Sequence, residues 1–323
     1  MKKILSFITL IIAVIIPLSA CSTEEYYIEN ISINIAVLPG PTSIGLLHLW
    51  DEAERGNNNY NFELMSSPDE IVPAIVSGLT DFAAVPSNLA SVIYNATDGE
   101  IQVVAINTLG ILHIVTTLEG INEIEDLRGR TVFMSGLGSV PEFAFNYILN
   151  KNGLVPNVDV YIEFRGQHAE IAALLENGQA EIALLPEPFV TTVLNTSEHV
   201  NLALDLTEEW DKIQSVHPLI MGVLVGRRTF IENNQDAINV FLTEYENSIN
   251  FTRTNLTETA ELTAHFGVIP NENIAREAIP RSNITFIRGN TMKNYLNGFL
   301  RILYDENPAS IGGSLPSENF FFE

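Results

Sequence analysis

The sequence predicts an α/β protein made of two related lobes, each a mostly parallel sheet flanked by helices. Short apolar runs alternate with amphipathic helical segments from Ile31 onward, a pattern typical of layered α/β folds. Residues 70–86 also align without gaps on residues 170–186, which indicates a duplicated unit. An export signal at the N-terminus predicts that the folded part lies outside the cytoplasm.

The first 21 residues have the organisation of that signal. Lys2 and Lys3 precede an apolar run over residues 4–16, and residues 18–21 read Leu-Ser-Ala-Cys. This tetrad resembles the lipobox of bacterial lipoprotein precursors, in which the cysteine is acylated and becomes the new N-terminus. A plain signal peptide with an incidental cysteine, or an uncleaved membrane helix, are the alternatives. We predict a signal peptide over residues 1–20, lipidation of Cys21 and a lipidated tether over residues 21–30.

The composition limits the classes of partner and cofactor that the protein can bind. The net charge is −24, and loss of Lys2 and Lys3 makes it −26, so the surface repels nucleic-acid phosphates. Cys21 is the only cysteine, which excludes thiol catalysis and cysteine-ligated zinc. The six histidines are dispersed without paired spacing, so we expect no metal and no cofactor.

Strands and helices follow from the apolar patterns in chain order. The strands are predicted as short apolar runs bounded by Gly, Pro or polar residues, at 33–38, 62–65, 81–85, 101–107, 112–116, 131–134, 158–164, 181–185 and 219–225. The helices have apolar residues at helical spacing, at 43–55, 68–77, 88–94, 141–150, 170–177, 188–194, 230–251, 257–266, 271–278 and 292–304. We expect the three adjacent phenylalanines of the tail, Phe320 to Phe322, to be packed, because they would otherwise expose an apolar patch.

The repeat has identical punctuation in both copies. Each copy is a helix, a glycine where the chain leaves it, an acidic residue, a buried strand and a proline. The matched residues, each offset by 100, are Glu70/Glu170, Ile71/Ile171, Gly78/Gly178, Asp81/Glu181, Ala83/Ala183 and Pro86/Pro186. Any helix–turn–strand unit shares part of this pattern, but here the glycine that ends the helix and the proline that ends the strand both match. The repeat therefore favours two structurally related lobes.

Four segments carry a resemblance to a known family. They read LPGPTSIGL at 38–46, GLTDFAAVPSNLA at 78–90, GLGSVPEFA at 136–144 and NGQAEIALLPEPFV at 177–190. Together with the lipobox, they resemble the substrate-binding proteins of bacterial ABC importers, type II cluster, in the subgroup for nitrate, sulfonates, taurine and thiamine-precursor pyrimidines.

This resemblance implies a two-lobed periplasmic-binding-protein fold with two crossovers that form a hinge. Lobe 1 would comprise residues 31–113 and 218–323, and lobe 2 residues 114–217. It also implies a monomeric, non-enzymatic receptor, anchored by its lipid, that delivers a small solute to an ABC permease with a cytoplasmic ATPase. An enzyme on the same scaffold, resembling menaquinone-pathway proteins, and a ligand-sensing input protein are the alternatives.

Candidate ligand-binding residues lie in loops at the carboxyl ends of the predicted strands, where ligands of such sheets bind. Glycines there allow close backbone approach, and hydroxyls can cap a helix or bind ligand. In lobe 1 the candidates are Gly40, Pro41, Thr42, Ser43, Ser66, Ser67, Ser87 and Asn88, with Asn107 and Thr108 at the expected first crossover. In lobe 2 they are Gly136, Gly138, Ser139, His168 and Glu187.

The chemistry of these loops bears on the ligand. The candidate loops contain few lysines or arginines, and Arg165 is the exception. A small inorganic anion held by charge pairs therefore fits less well than a neutral or partly cationic organic molecule, which Glu187 could bind through an amine or ring N–H.

Overall fold

The structure is a computed structural model and describes residues 31–323. The predicted signal peptide, the predicted tether and Cys21 lie outside these residues. Among the described residues, no helix is both long and apolar enough to span a bilayer.

Within residues 31–323, eleven strands form two sheets. They are β1 (Ile33–Val37), β2 (Tyr60–Leu64), β3 (Phe82–Pro86), β4 (Ile101–Leu109), β5 (Leu112–Thr116), β6 (Thr131–Met134), β7 (Tyr161–Phe164), β8 (Ile182–Pro186), β9 (Asn201–Asp205), β10 (Ile220–Arg227) and β11 (Ile284–Ile287). The first sheet has the order β11-β4-β10-β3-β1-β2, and the second has the order β7-β6-β8-β5-β9.

In the described part of the chain, thirteen α-helices flank these sheets. They are α1 (Pro41–Ile44), α2 (Leu47–Glu54), α3 (Pro68–Ser77), α4 (Ser87–Ala96), α5 (Val140–Lys151), α6 (His168–Glu176), α7 (Phe189–Thr196), α8 (Leu206–Ile213), α9 (Arg228–Asn233), α10 (Gln235–Thr254), α11 (Leu256–His265), α12 (Glu272–Ala278) and α13 (Gly289–Glu306).

The α/β architecture with two lobes is confirmed, but the sheets are mixed rather than mostly parallel. In the first sheet β1 is parallel to β2 and β3, whereas β10 is antiparallel to β3 and β4. In the second sheet β6 is parallel to β7 and β8, whereas β5 is antiparallel to β8 and β9. The strands β5 and β10 enter their sheets from the other lobe, and β11 at the edge of the first sheet is also antiparallel to its neighbour, β4. A period-2 pattern cannot reveal strand direction, because it reports only which residues are buried.

The internal repeat corresponds to equivalent pieces of the two sheets. The units α3–β3 and α6–β8 begin at residues 68 and 168, and their strands at 82 and 182. Gly78 and Gly178, which end the two helices, both have positive φ, +76° and +66°, a conformation that glycine adopts at little cost. The order β2-β1-β3-β10-β4 in the first sheet corresponds to the order β7-β6-β8-β5-β9 in the second. The repeat therefore extends to five strands of each lobe.

The chain changes lobe between β4 and β5 and returns between α8 and β10. The predicted boundary at 113/114 falls inside β5, which lies in the second sheet. Whether the two lobes move as separate bodies stays a prediction.

Some elements differ from the sequence prediction. The strands β9 and β11 and the helix α8 were not predicted, because each is short and only partly apolar. The predicted strand at 158–164 begins only at Tyr161, since Asn157 has a φ of +63° and the chain turns there. The predicted helix at 230–251 is two helices, separated at Asn234.

The predicted packing of the tail is confirmed. Phe320 is fully buried and Phe321 is 3% exposed. Their rings meet at 5.1 Å, and the ring of Phe320 lies 5.0 Å from that of Tyr94 on α4.

Candidate functional site

A cavity of about 260 Å³ lies between the two lobes. Loops that follow β1 and β3 line it on one side, and loops that follow β6 and β8 line it on the other. Its lining residues are Leu38, Pro39, Gly40, Pro41, Thr42, Pro86, Ile111, Gly136, Ser139, Val140, Pro141, His168, Pro186, Glu187, Pro188, Phe189 and Met221. The equivalent strand ends of the duplicated lobes therefore meet at one cavity, as ligand sites of open α/β sheets do.

The first turn of lobe 1 brings Gly40, Pro41 and Thr42 to the cavity. Gly40 has a φ of +106° and donates its N–H to the carbonyl of Val268 at 3.1 Å. The hydroxyl of Ser43 closes the turn from below, since it accepts from the Leu38 N–H at 3.0 Å and donates to the Leu38 carbonyl at 2.6 Å. Ser43 is therefore buried under the cavity wall and does not line it.

The equivalent turn of lobe 2 contributes Gly136 and Ser139. The Ser139 hydroxyl donates to the Gly136 carbonyl at 2.6 Å, and this hydrogen bond closes the turn before α5. Gly138 does not line the cavity, and its N–H donates to the carboxylate of Glu142 at 2.6 Å. Two glycines before a helix can form a nest for an anion, but the N–H of Gly138 is already bonded to a carboxylate of the same chain.

His168, the first residue of α6, presents an imidazole to the cavity. Its Nδ1 lies 2.7 Å from the hydroxyl of Ser135, and its ring lies 5.2 Å from that of Phe189. Burial lowers the pKa of His168 to about 4, because the charged ring would lose its hydration. The imidazole is therefore uncharged at neutral pH and serves as a polar but neutral part of the wall.

Glu187 lines the cavity, yet both of its carboxylate oxygens already have partners. Its side chain has no exposed surface, and one oxygen lies 2.6 Å from the Nε of Arg281. The other oxygen accepts from the hydroxyl of Thr191 at 2.8 Å and from the Thr191 N–H at 3.2 Å. The structure thus places this carboxylate in an internal ion pair that joins α7 of lobe 2 to the turn after α12 of lobe 1.

Two candidates at the crossover lie behind the wall. The Asn107 amide donates to the Thr42 carbonyl at 3.1 Å, and its own oxygen accepts from the Thr108 hydroxyl at 3.0 Å. Both residues are buried and neither lines the cavity. A Cβ on Gly222 of β10 would come within 2.6 Å of both Thr42 and Asn107. Glycine at this position therefore leaves room for the hydrogen bond from Asn107 to the first turn.

The candidates Ser87 and Asn88 bond to other parts of lobe 1. The Ser87 hydroxyl donates to the Ile220 carbonyl at 2.6 Å, and the Asn88 amide donates to the Ser310 carbonyl at 3.1 Å. Neither lines the cavity, because α4 turns these side chains toward β10 and the C-terminal tail.

Ser66 and Ser67 also lie away from the cavity. The Ser66 hydroxyl donates to the carboxylate of Glu70, and Ser67 occupies the N-cap position of α3 without a side-chain capping bond. The capping expected of Ser67 is therefore not observed. Position at a strand end is therefore insufficient to bring a loop to the cavity, although the equivalent loop after the edge strand β7 does bring His168 there.

Several lining residues were not singled out from the sequence. They are apolar and include Ile111, Val140, Phe189 and Met221. Apolar residues are expected in any core, so nothing local marks them as cavity walls. Arg281 gave no local signal either, because its partner Glu187 lies 94 residues away.

One cluster has the composition of a metal site but partners of its own. His48, Asp51 and Glu52 bring potential ligand atoms together on α2. The Asp51 carboxylate pairs with Arg55 at 2.8 Å, and the His48 ring stacks on that of Phe251 at 4.0 Å. An ion pair and a ring contact thus tie the cluster into the fold, while Nδ1 of His48 is buried without a hydrogen-bond partner.

Solved structures of low sequence identity share this fold. An ABC transporter from Parabacteroides distasonis is 22% identical with a TM-score of 0.76, over 90% of this chain and 99% of its own. The periplasmic aliphatic sulphonate binding protein SsuA from Escherichia coli is 14% identical with a TM-score of 0.72, over 90% and 92% of the two chains. The periplasmic nitrate-binding protein NrtA from Synechocystis PCC 6803 is 16% identical with a TM-score of 0.60, over 87% and 83%.

Sequence comparison identifies the family. A comparison with curated protein sequences found no match. A family model described as an ABC transporter, phosphonate, periplasmic substrate-binding protein matches residues 53–270, which form most of the described chain and contribute all but the first turn of the cavity wall. On this match, the chain belongs to the periplasmic substrate-binding proteins of ABC transporters.

Proposed function

We propose that this protein is a lipid-anchored extracytoplasmic receptor that captures a small organic solute and delivers it to an ABC permease. The observation that carries the proposal is the cavity, which both lobes line with equivalent loops. A ligand there contacts both lobes at once, and so favours the arrangement in which they are closed. We propose residues 31–113 with 218–323, and residues 114–217, as the two bodies that close.

The family and the similar structures support binding without chemistry, since their descriptions are of transport proteins. The names of two of those structures refer to an aliphatic sulphonate and to nitrate, and the family description to phosphonate. Oxyanions of these kinds are therefore the competing class of ligand. The apolar wall built by residues such as Ile111, Phe189 and Met221 favours a ligand with an apolar body.

Capture can be tested by thermal unfolding and calorimetry of the mature chain against a panel of vitamins, pyrimidines, sulfonates, phosphonates and uncharged organic molecules. A true ligand raises the melting temperature in proportion to ln(1 + [L]/Kd). The variant His168→Ala, in the wall, should weaken binding at least tenfold. Ser66→Ala, which lies away from the cavity, is the matched control and should bind as the wild type does. A panel and a cell extract that never stabilise the protein would contradict the proposal.

The anchor requires a separate experiment. Cys21 follows the Leu-Ser-Ala segment and is the only thiol of the chain, so a radiolabelled fatty acid has one residue to label. We expect the wild type and the control Ser22→Ala to carry the label and to sediment with membranes. Cys21→Ser should lose both properties, and a Cys21→Ser protein that is still labelled would overturn the assignment.

A further inference from the structure

Prolines and internal hydrogen bonds reduce the number of backbone donors that the cavity offers to an anion. Six of its 17 lining residues are prolines, which have no N–H. The N–H groups of Gly40, Ser139 and Glu187 already donate to carbonyls of the protein. A desolvated oxyanion needs several converging donors, and these nine lining residues cannot supply a free backbone N–H.

Cationic side chains are also engaged elsewhere. No lysine or arginine is among the lining residues, and the guanidinium of Arg165 pairs with Glu163 at 2.9 Å. His168 is neutral at physiological pH, as described above. The Glu142 carboxylate, bonded to Gly138, adds a negative charge at the start of α5, where the helix dipole would otherwise attract an anion. These features disfavour an anionic ligand.

The carboxylate of Glu187 does not in turn favour a cation. Arg281 contacts it from the other lobe at 2.6 Å, and a second guanidinium nitrogen donates to the Thr191 hydroxyl at 2.5 Å. The Thr191 hydroxyl and N–H complete the shell of Glu187. A cation in the cavity would therefore meet a carboxylate whose charge is already balanced.

We propose that the cavity selects an uncharged organic ligand with an apolar body, and that Arg281 sets this selectivity by cancelling the charge of Glu187. The inference rests on the proposed function, since it specifies what the receptor captures. A charged ligand would leave water without gaining a counter-charge. Thr42, Ser139 and His168 supply neutral groups that can orient an uncharged ligand by hydrogen bonds.

The test is native mass spectrometry of the mature chain after incubation with a defined mixture of probes. The mixture holds alkyl alcohols, amides and lactones as uncharged probes, alkylammonium ions as cations, and alkylphosphonates and alkylsulfonates as anions. We expect the wild type to retain uncharged probes. Retention of a phosphonate, sulfonate or ammonium probe in preference would overturn the inference and leave the receptor function standing. Retention of nothing, from the mixture or from a cell extract, would overturn both.

Variants test the role of Arg281. In Arg281→Gln the buried carboxylate loses its counter-charge, so we expect retention of alkylammonium probes to rise at least tenfold. The double variant Glu187→Gln/Arg281→Gln removes both charges and should keep the preference for uncharged probes, even if the single variant fails to fold. Arg128→Gln, at a surface ion pair with Glu125 and Asp159, is the control and should bind as the wild type does. A double variant that prefers ammonium ions would refute the role of Arg281.

Discussion

Single polar side chains near the cavity have two different tasks. His168 and Thr42 face the ligand space, whereas Asn107 lies behind Thr42 and holds its carbonyl at 3.1 Å. Buried amides usually satisfy their own hydrogen bonds within the fold. A polar residue close to a strand end is therefore as often a support for the wall as a part of it, and only its partners distinguish the two.

The imidazole of His168 should make stability depend on pH. Its pKa is lowered to about 4 in the folded protein, from 6.5. The unfolded chain therefore takes up the proton first, so the contribution to stability is complete above about pH 6.5 and is lost as pH falls toward 4. The loss amounts to at most about 3 kcal/mol, reduced by the partial exposure of the ring.

Urea unfolding of the wild type and His168→Gln between pH 7.5 and 4 provides the measurement. As pH falls, the free energy of unfolding of the wild type should decrease more than that of the variant, because glutamine does not titrate. Carboxylates that titrate in the same range affect both proteins and cancel in the difference. A difference that is independent of pH would show that the ring is accessible to water.

Helix α4 and the C-terminal tail form one packing unit in lobe 1. The side chains of Asn88, Ser91 and Asn95 project from the same face of α4 and donate to carbonyls of residues 310, 311 and 314. The tail then passes to β4, where the Phe322 N–H donates to the Val103 carbonyl at 3.0 Å. The polar face of α4, which includes the candidate Asn88, thus holds the last segment of the chain.

Removal of the Phe320 ring should test this unit. Phe320 is fully buried and Phe322 is only partly buried. We expect Phe320→Ala to lower the free energy of unfolding by about 3–5 kcal/mol, because it leaves a cavity between α4 and the tail. The matched variant Phe322→Ala should cost less, about 1 kcal/mol. Equal losses in chemical unfolding experiments would contradict the packing described here.

The two lobes touch on either side of the cavity through different chemistry. On one side α5 and α8 of lobe 2 pack on α13 of lobe 1, and the ring of Trp210 lies between those of Tyr147 and Phe299. On the other side the contact is polar and consists of Glu187 with Arg281 and of Asn195 with Glu277. An apolar contact tolerates small sliding, whereas an ion pair has a defined geometry. We therefore predict that any movement between the lobes changes the contact on the side that contains Trp210.

Fluorescence can test this assignment, because the chain has two tryptophans. Trp50 stacks on Phe62 and Phe266 within lobe 1, at 5.3 Å and 4.2 Å, while Trp210 lies at the contact between the lobes. We expect the emission of Trp50→Phe to change on ligand binding, and that of Trp210→Phe to stay constant. A ligand-dependent change in Trp210→Phe would instead place the movement within lobe 1.

Features that depend on local pattern could be predicted from the sequence. The repeat offset of 100 identified two related lobes, and the helix–glycine–strand–proline order placed α3–β3 and α6–β8, because periodicity, glycine conformation and proline act over a few residues. The sequence also indicated Gly40, Thr42, Ser139 and His168 as candidates, and these residues line the cavity. The phenylalanines of the tail predicted its packing.

The tertiary structure alone decided the directions of β5 and β10, the turning of Asn88 toward the tail, and the pairing of Glu187 with Arg281 across 94 residues. Each of these depends on contacts between distant segments. Such contacts leave no pattern in any one stretch of the chain, because the same side chain can face ligand, solvent or another helix with the same local sequence around it. The charge that a ligand meets in the cavity is for this reason a property of the assembled lobes.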